Sequence, residues 1–318
     1  MSIAQFCLMG LMALAAGVLL RELATVLRAR VPAQTRAVTV GENAPPCRDD
    51  IPKIIWTYWP DPPPPAFIAA CLANWRRFAP DHELRLLGPT DVARWLPEPR
   101  AGLDNLPARQ HADSLATQLL ARHGGVWMEA SSLLSRDLGW LHETRQRRGA
   151  DYVGFYLDRD TTRPTLPVIE DGLMASVPGG RFMTSLAAAF DRALDEGAEP
   201  LLQRLHDEGR HERVVQALDK ARLRELPLQL VASELLDREP QVARLVLLRA
   251  EDGPLAWQAG VGWHPRRLHA RLSLVPCPRV LPAVLTLRPA ERAIVERQWR
   301  RRLVSPFSAL VQMIERPR

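Results

Sequence analysis

The chain has 318 residues, 47% of them hydrophobic, which is enough for one sizeable core with at most a small appended lobe. Its net charge of +6 comes almost wholly from arginine, since Lys53 and Lys220 are the only lysines. That balance suits phosphate-bearing ligands or an anionic membrane surface; with no zinc-finger or RNP-like motif and no basic stripe interleaved with aromatics, it argues against nucleic acid.

From Ile3 to Leu20 no residue is charged, and as a helix this run extends about 27 Å, close to the hydrocarbon thickness of a bilayer. Residues 1–20 read as a retained membrane anchor. A cleaved signal peptide, which wants a basic residue ahead of the apolar run, and an interfacial helix are the alternatives. Arg21, Arg28 and Arg30 follow at once and predict an inner-membrane, single-pass protein whose downstream chain faces the cytoplasm. Cys7, Cys47, Cys71 and Cys277 are scattered, without metal-ligand spacing, and read as thiols. Residues 21–50 hold turn formers and no sustained period, the pattern of a linker.

The main domain is expected over residues 51–287. Ile51 to Trp59 is an apolar, β-prone run with proline only at its start, so it reads as a buried strand. A proline-forced loop leads to a helix from Ala66 to Phe78, and ELRLL at 83–87 completes a βαβ unit. His111 to Leu134 then follows the order helix, glycine turn, strand. Leu115, Leu119 and Leu120 recur at helical spacing, Gly124-Gly125 lets the helix stop, and Val126-Trp127-Met128 suits a strand buried on both faces. Glu129 falls at the C-terminal end of that strand, where open α/β sheets bind their ligands.

With IPKIIWTYW at 51–59, this stretch resembles the bacterial capsular polysaccharide synthesis proteins, relatives of glycosyltransferases with a DXD sugar-binding region. The family pattern is matched by Asp113, Gly124, Gly125, Trp127, Glu129 and Ser131. Ala116 stands where the family has an arginine, for which Arg109 or Arg122 could substitute in space, and Glu129 stands where it has the first aspartate of the metal pair. The resemblance covers residues 51–180 and implies a GT-A-like α/β fold. It also implies transfer of a sugar from a nucleotide-diphosphate donor to a polysaccharide or lipid-linked glycan acceptor. The implied donor site takes Trp56, Tyr58, Asp113, Gly124, Gly125 and Arg266. For Trp56, Tyr58 and Trp59 the alternative is plain core filling; for Asp113, which reads as lying at the start of its helix, it is capping.

Transfer builds negative charge on the departing phosphate, which a divalent cation held by a carboxylate neutralises. Mn²⁺ or Mg²⁺ is therefore expected, with Glu129, Ser131 and His264 as candidate ligands. Asp113, Glu170 and Asp171 are the candidate catalytic acids, the last two for acceptor binding or as a general base, against the alternative of solvated loop acids. In WQAGVGWHPRRLH, His264 is alternatively structural, and Arg266 and Arg267 are placed to reach the diphosphate. Residues 288–318 read as a basic amphipathic helix, either docked on the domain or lying on an anionic leaflet. The departures at Ala116 and Glu129 motivate one competing class: a degenerate transferase fold that binds glycan or serves as a scaffold without turnover.

Overall fold

A computed structural model describes residues 3–315; Met1 and Ser2 of the expected anchor and residues 316–318 of the expected C-terminal helix lie outside the described residues. The strands are β1 (Ala37–Val40), β2 (Ile54–Tyr58), β3 (Glu83–Leu87), β4 (Gly125–Met128), β5 (Leu133–Leu134), β6 (Tyr152–Tyr156), β7 (Ile169–Ser176), β8 (Leu245–Arg249) and β9 (Val284–Leu285). The longer helices used below are α1 (Ile3–Arg28), α2 (Ala66–Phe78), α3 (Ala108–His123), α4 (Arg181–Glu196), α5 (Leu228–Arg238), α6 (Pro265–Ser273), α7 (Pro289–Arg300) and α8 (Ala309–Glu315).

Seven strands make one mixed sheet in the order β1-β8-β6-β7-β4-β2-β3. Strands β2, β3, β4, β6 and β8 point the same way, and β1 and β7 run against them. The β2–α2–β3 segment is the expected parallel crossover unit, with Ile54 opposite Glu83. Strands β5 and β9 pair separately, antiparallel. All four residues of β4 are buried, as a central strand covered on both faces requires. Helix α3 turns Leu115, Leu119 and Leu120 inward, and α4 packs on it through Phe182, Leu186 and Phe190. On β3, at the sheet's edge, Arg85 bonds Glu83 through two nitrogens at 2.7 and 2.6 Å and lies over the rings of Trp56 and Trp95.

Three segments differ from expectation. The linker is not structureless: Ala37–Val40 pairs with β8, Val40 and Ala44 are buried, and four alternating residues sufficed for a strand that periodicity over so short a run did not reveal. Helix α1 continues past Leu20 to Arg28; Cys7–Arg28 has the length and composition to cross a membrane, with a mean hydropathy of 1.8. The C-terminal segment is two helices rather than one, broken where Arg302 takes a positive φ of 56° and Pro306 follows. Both helices bury residues on the domain, Val295 from α7 and Leu310 and Met313 from α8, and Asn74 of α2 donates to the Met313 carbonyl at 2.8 Å. The segment is docked.

Where β3 starts, beyond the N-terminal end of the parallel strands, the imidazoles of His82 and His142 meet Nε2 to Nε2 at 2.9 Å, and Asp81 bonds His82 Nδ1. Burial, then the nearby charge on His82 and on Lys53, holds His142 below the ordinary imidazole value of 6.5. The folded chain therefore refuses a proton that the unfolded chain accepts. Stability is fully present above pH 6.5 and falls as pH drops through that value toward the depressed one. Urea midpoints measured from pH 7.5 to 5 should show this decline, and His142→Gln should remove part of the slope; an unchanged slope in the variant would disprove the coupling.

Candidate active site

Residues 124 and 125 set where β4 begins. Both have positive φ, 62° and 102°. A Cβ on Gly124 would lie 2.6 Å from the Pro178 nitrogen, and one on Gly125 would lie 2.8 Å from the Ile54 carbonyl oxygen. Trp56, fully buried, donates its indole N–H to the Gly124 carbonyl at 2.9 Å. These three residues pack the start of β4. Five residue steps along the extended chain, about 16 Å, lead from Gly124 to Glu129. The donor-binding role expected of Trp56, Gly124 and Gly125 is thereby corrected: they shape the sheet at the end remote from the carboxylates.

At the other end, Glu129 leaves β4 with its amide bonded to the Gly172 carbonyl at 2.8 Å. Strand β7 there carries three residues, Asp171 to Leu173, between its pairings with Gly154 and Phe155 of β6. Such a bulge re-aims side chains, and here it turns Asp171 toward α3. Arg109, in the first turn of α3, bonds Asp171 at 2.5 Å and lies 3.8 Å from Asp113, one turn further on. Asp113 is thus inside its helix, whose N-cap is Pro107, so it caps nothing. From α7, Arg292 approaches Glu129 at 3.9 Å and covers the ring of Trp59 at 5.1 Å. Tyr58, at the end of β2, has the His111 ring 4.8 Å away. A partly open group at the C-terminal edge of the sheet therefore gathers Asp113, Glu129, Asp171, Arg109, Arg292, Tyr58 and Trp59.

The charges are unequal. Burial and the neighbouring Asp171 raise Asp113 well above the carboxylate range, against Arg109. Asp171 itself is lowered: burial opposes ionisation, but Arg109 and Arg222 outweigh it. Glu129 keeps 40% of its side-chain surface exposed; desolvation by the surrounding protein still raises it, against the opposing charge of Arg292. Glu170 sits behind the cleft, with one carboxyl oxygen accepting the Gly172 amide at 3.0 Å and the other without a partner. It is buried, so it backs Asp171 rather than facing a ligand.

Other expected residues lie elsewhere. Ser131 is fully buried and donates its hydroxyl to the Leu287 carbonyl at 2.8 Å, which corrects its placement as a metal ligand. His264 stands at the N-cap position of α6 beside Glu22 of α1, and Arg267 bonds Glu22 through two nitrogens at 2.5 Å. Arg266 is exposed on the same turn, and no contact among the described residues ties it to the acids. The late histidine and both arginines thus brace α1 or face solvent and are not part of the acid cluster. Among the described residues no three His, Cys, Asp or Glu side chains converge on one metal position.

Ala116 is fully buried, so an arginine there would enter the core; Arg109 supplies a guanidinium from the open face instead. Its spacing of four residues before Asp113 was the available signal. Arg222 and Arg292 carried none, because only the tertiary fold brings them to these acids.

No protein-family model matches the chain, and no curated protein matches it. Among solved structures it is similar to the PaToxG glycosyltransferase at 10% identity, over 86% of this chain and 89% of that one, with a TM-score of 0.38. So distant a likeness carries no weight for activity.

Glu170 is pushed from 4.5 up to about 8, first by burial and then by Asp171. Between those values the unfolded chain has lost a proton that the folded chain keeps, so stability falls as pH rises from 4.5 toward 8. Glu170→Gln retains an acceptor for Gly172. It should match the parent at pH 4.5 and exceed it at pH 8 by on the order of 1 kcal/mol or more, measured by urea unfolding; equal stability at both would refute this.

Proposed function

We propose that the chain is a glycosyltransferase with a GT-A-like domain, moving a sugar from a nucleotide-diphosphate donor to a surface or capsular polysaccharide. One observation carries the reading. At the C-terminal edge of parallel strands, three carboxylates and two guanidiniums lie together beside Tyr58 and Trp59. That edge is where α/β sheets bind ligands, and each part has a task in this chemistry.

Arg109 and Arg292 meet the donor's diphosphate as charge-assisted donors. The Tyr58 ring, backed by His111, offers a face on which a base stacks. Asp113 and Asp171, the first pushed toward its protonated form by burial and the second toward its ionised form by Arg109, are placed to bond sugar hydroxyls. In the transfer, an acceptor hydroxyl oxygen bonds to the anomeric carbon as the bond from that carbon to the diphosphate breaks. The electron pair leaves with the nucleoside diphosphate, and a phosphate oxygen takes the hydroxyl proton.

Of the three residues first considered for metal, Glu129 alone fits. Its carboxylate opens into the cleft and is undercompensated by a guanidinium 3.9 Å away. It would hold Mn²⁺ or Mg²⁺ together with the diphosphate and water, one protein carboxylate being usual for Mg²⁺ on phosphates. Bound there, the cation supplies Lewis-acid neutralisation of the leaving group. The chain's own arginines contribute to the same end.

Calorimetric titration of the full chain with UDP and GDP, with and without Mn²⁺, tests the site, and a donor-hydrolysis screen tests turnover. Metal-strengthened binding is expected, and Glu129→Ala should lower turnover by about 10²-fold with an unchanged melting temperature. Undiminished turnover in Glu129→Ala would overturn its role. Binding without any turnover would move the chain to the non-catalytic, glycan-binding class.

A further inference from the structure

Resting on the glycosyl-transfer reading, we infer that the cleft works at the bilayer surface on an acceptor sugar borne by a membrane lipid, with α1 fixing the height of the cleft above the bilayer. The first ground is topological. Strand β1 enters the sheet with Ala37 opposite Leu248, near the C-terminal end of β8, and Arg249 donates to the Arg36 carbonyl at 2.8 Å. The chain leaving α1 therefore joins the sheet at the edge where β2, β4, β6 and β8 all end. That is the edge of Tyr58 and Glu129.

The second ground is the docking of α1. Its first turns expose Leu8, Leu11, Leu14, Leu19 and Leu20, whereas Glu22 and Val26, four residues apart, and Ala29 just past its end face the domain. Arg267 grips Glu22, Arg271 donates to the Ala29 carbonyl at 3.1 Å, and a Cβ on Gly260 would lie 3.0 Å from that of Ala29. This docked stretch rises about 10 Å along the helix. A soluble acceptor needs only a tether; a helix clamped at both ends of that stretch holds the domain at one height.

The third ground joins anchor to cleft. Trp263 precedes His264, which lies beside Glu22. The Trp263 ring carries the guanidiniums of Arg159 at 4.4 Å and Arg288 at 4.3 Å. Arg288 stands one turn before Arg292, which faces Glu129. Tryptophan with arginine at the level where an apolar helix leaves the bilayer is the composition of the headgroup layer. Exposed Arg21, His264 and Arg266 continue this basic collar toward an anionic leaflet.

The test uses the full chain in vesicles made from the source organism's total lipid extract, supplied with a panel of radiolabelled nucleotide-sugars. Label is then followed into chloroform-soluble and water-soluble products. Lipid-soluble label is expected. Label only in water-soluble glycan would overturn the inference and leave the transferase reading standing; no donor consumption at all would overturn both. Glu22→Arg and Arg267→Glu, each alone, should cut lipid labelling by about tenfold while donor hydrolysis in detergent is unchanged, and the double exchange should restore it. Full lipid labelling in both single variants would refute the height-setting role of α1.

Discussion

The cleft depends on how near β4 is allowed to come to its neighbours. At residues 124 and 125 the backbone of the strand passes within van der Waals reach of Pro178 and of the Ile54 carbonyl, with left-handed φ angles that only glycine adopts at no steric cost. The Trp56 indole then pins the Gly124 carbonyl from the side. Because β4 is short and rigidly paired with β2 and β7, a shift at this pinch is carried to Glu129 at its far end. In the proposed transfer about 1 Å of misplacement would cost on the order of 10²-fold in rate. The glycines thus set the position of a carboxylate that they never touch.

The second constraint is the balance of charge beyond that strand. Four carboxyl groups, those of Asp113, Glu129, Glu170 and Asp171, lie in or behind one cleft, and water is largely excluded from Glu170 and Asp113. Like charges so placed cannot all ionise. Arg109 resolves part of the conflict by favouring ionised Asp171, while burial and that neighbouring charge push Asp113 and Glu170 toward their protonated forms. The bulge in β7 makes the division possible, since it separates Asp171 from Glu170 in direction although they are adjacent in sequence.

Local pattern carried the framework a long way. The expected helix from Ala66 to Phe78 and the strand from Glu83 to Leu87 stand at those bounds, and the strand ahead of Glu129 is the buried one its Val-Trp-Met composition implied. What local pattern could not carry was direction. Ser131 and Glu129 are two residues apart, yet one hydroxyl turns to Leu287 and one carboxylate to the cleft. Trp56 and Tyr58 divide the same way, one sealed into the sheet and one at its edge. His264 and Arg267 carry the right chemistry for a metal or a phosphate, but their surroundings are set by α1, far away in sequence. Arg292 reaches its place through the docking of α7, which no periodicity within that helix encodes.

The outermost strand, β3, has a consequence of its own. An open sheet border with free amides and carbonyls is a template on which another chain can add a strand and so begin aggregation. Here Glu83 and Arg85 alternate along that border, and the arginine is held both by its acidic neighbour and by two indole faces. An incoming strand would have to strip water from this locked pair without offering it a replacement. The most open flank of the sheet thus carries a charged, hydrogen-bonded pair, a composition that disfavours pairing with a second copy of the chain.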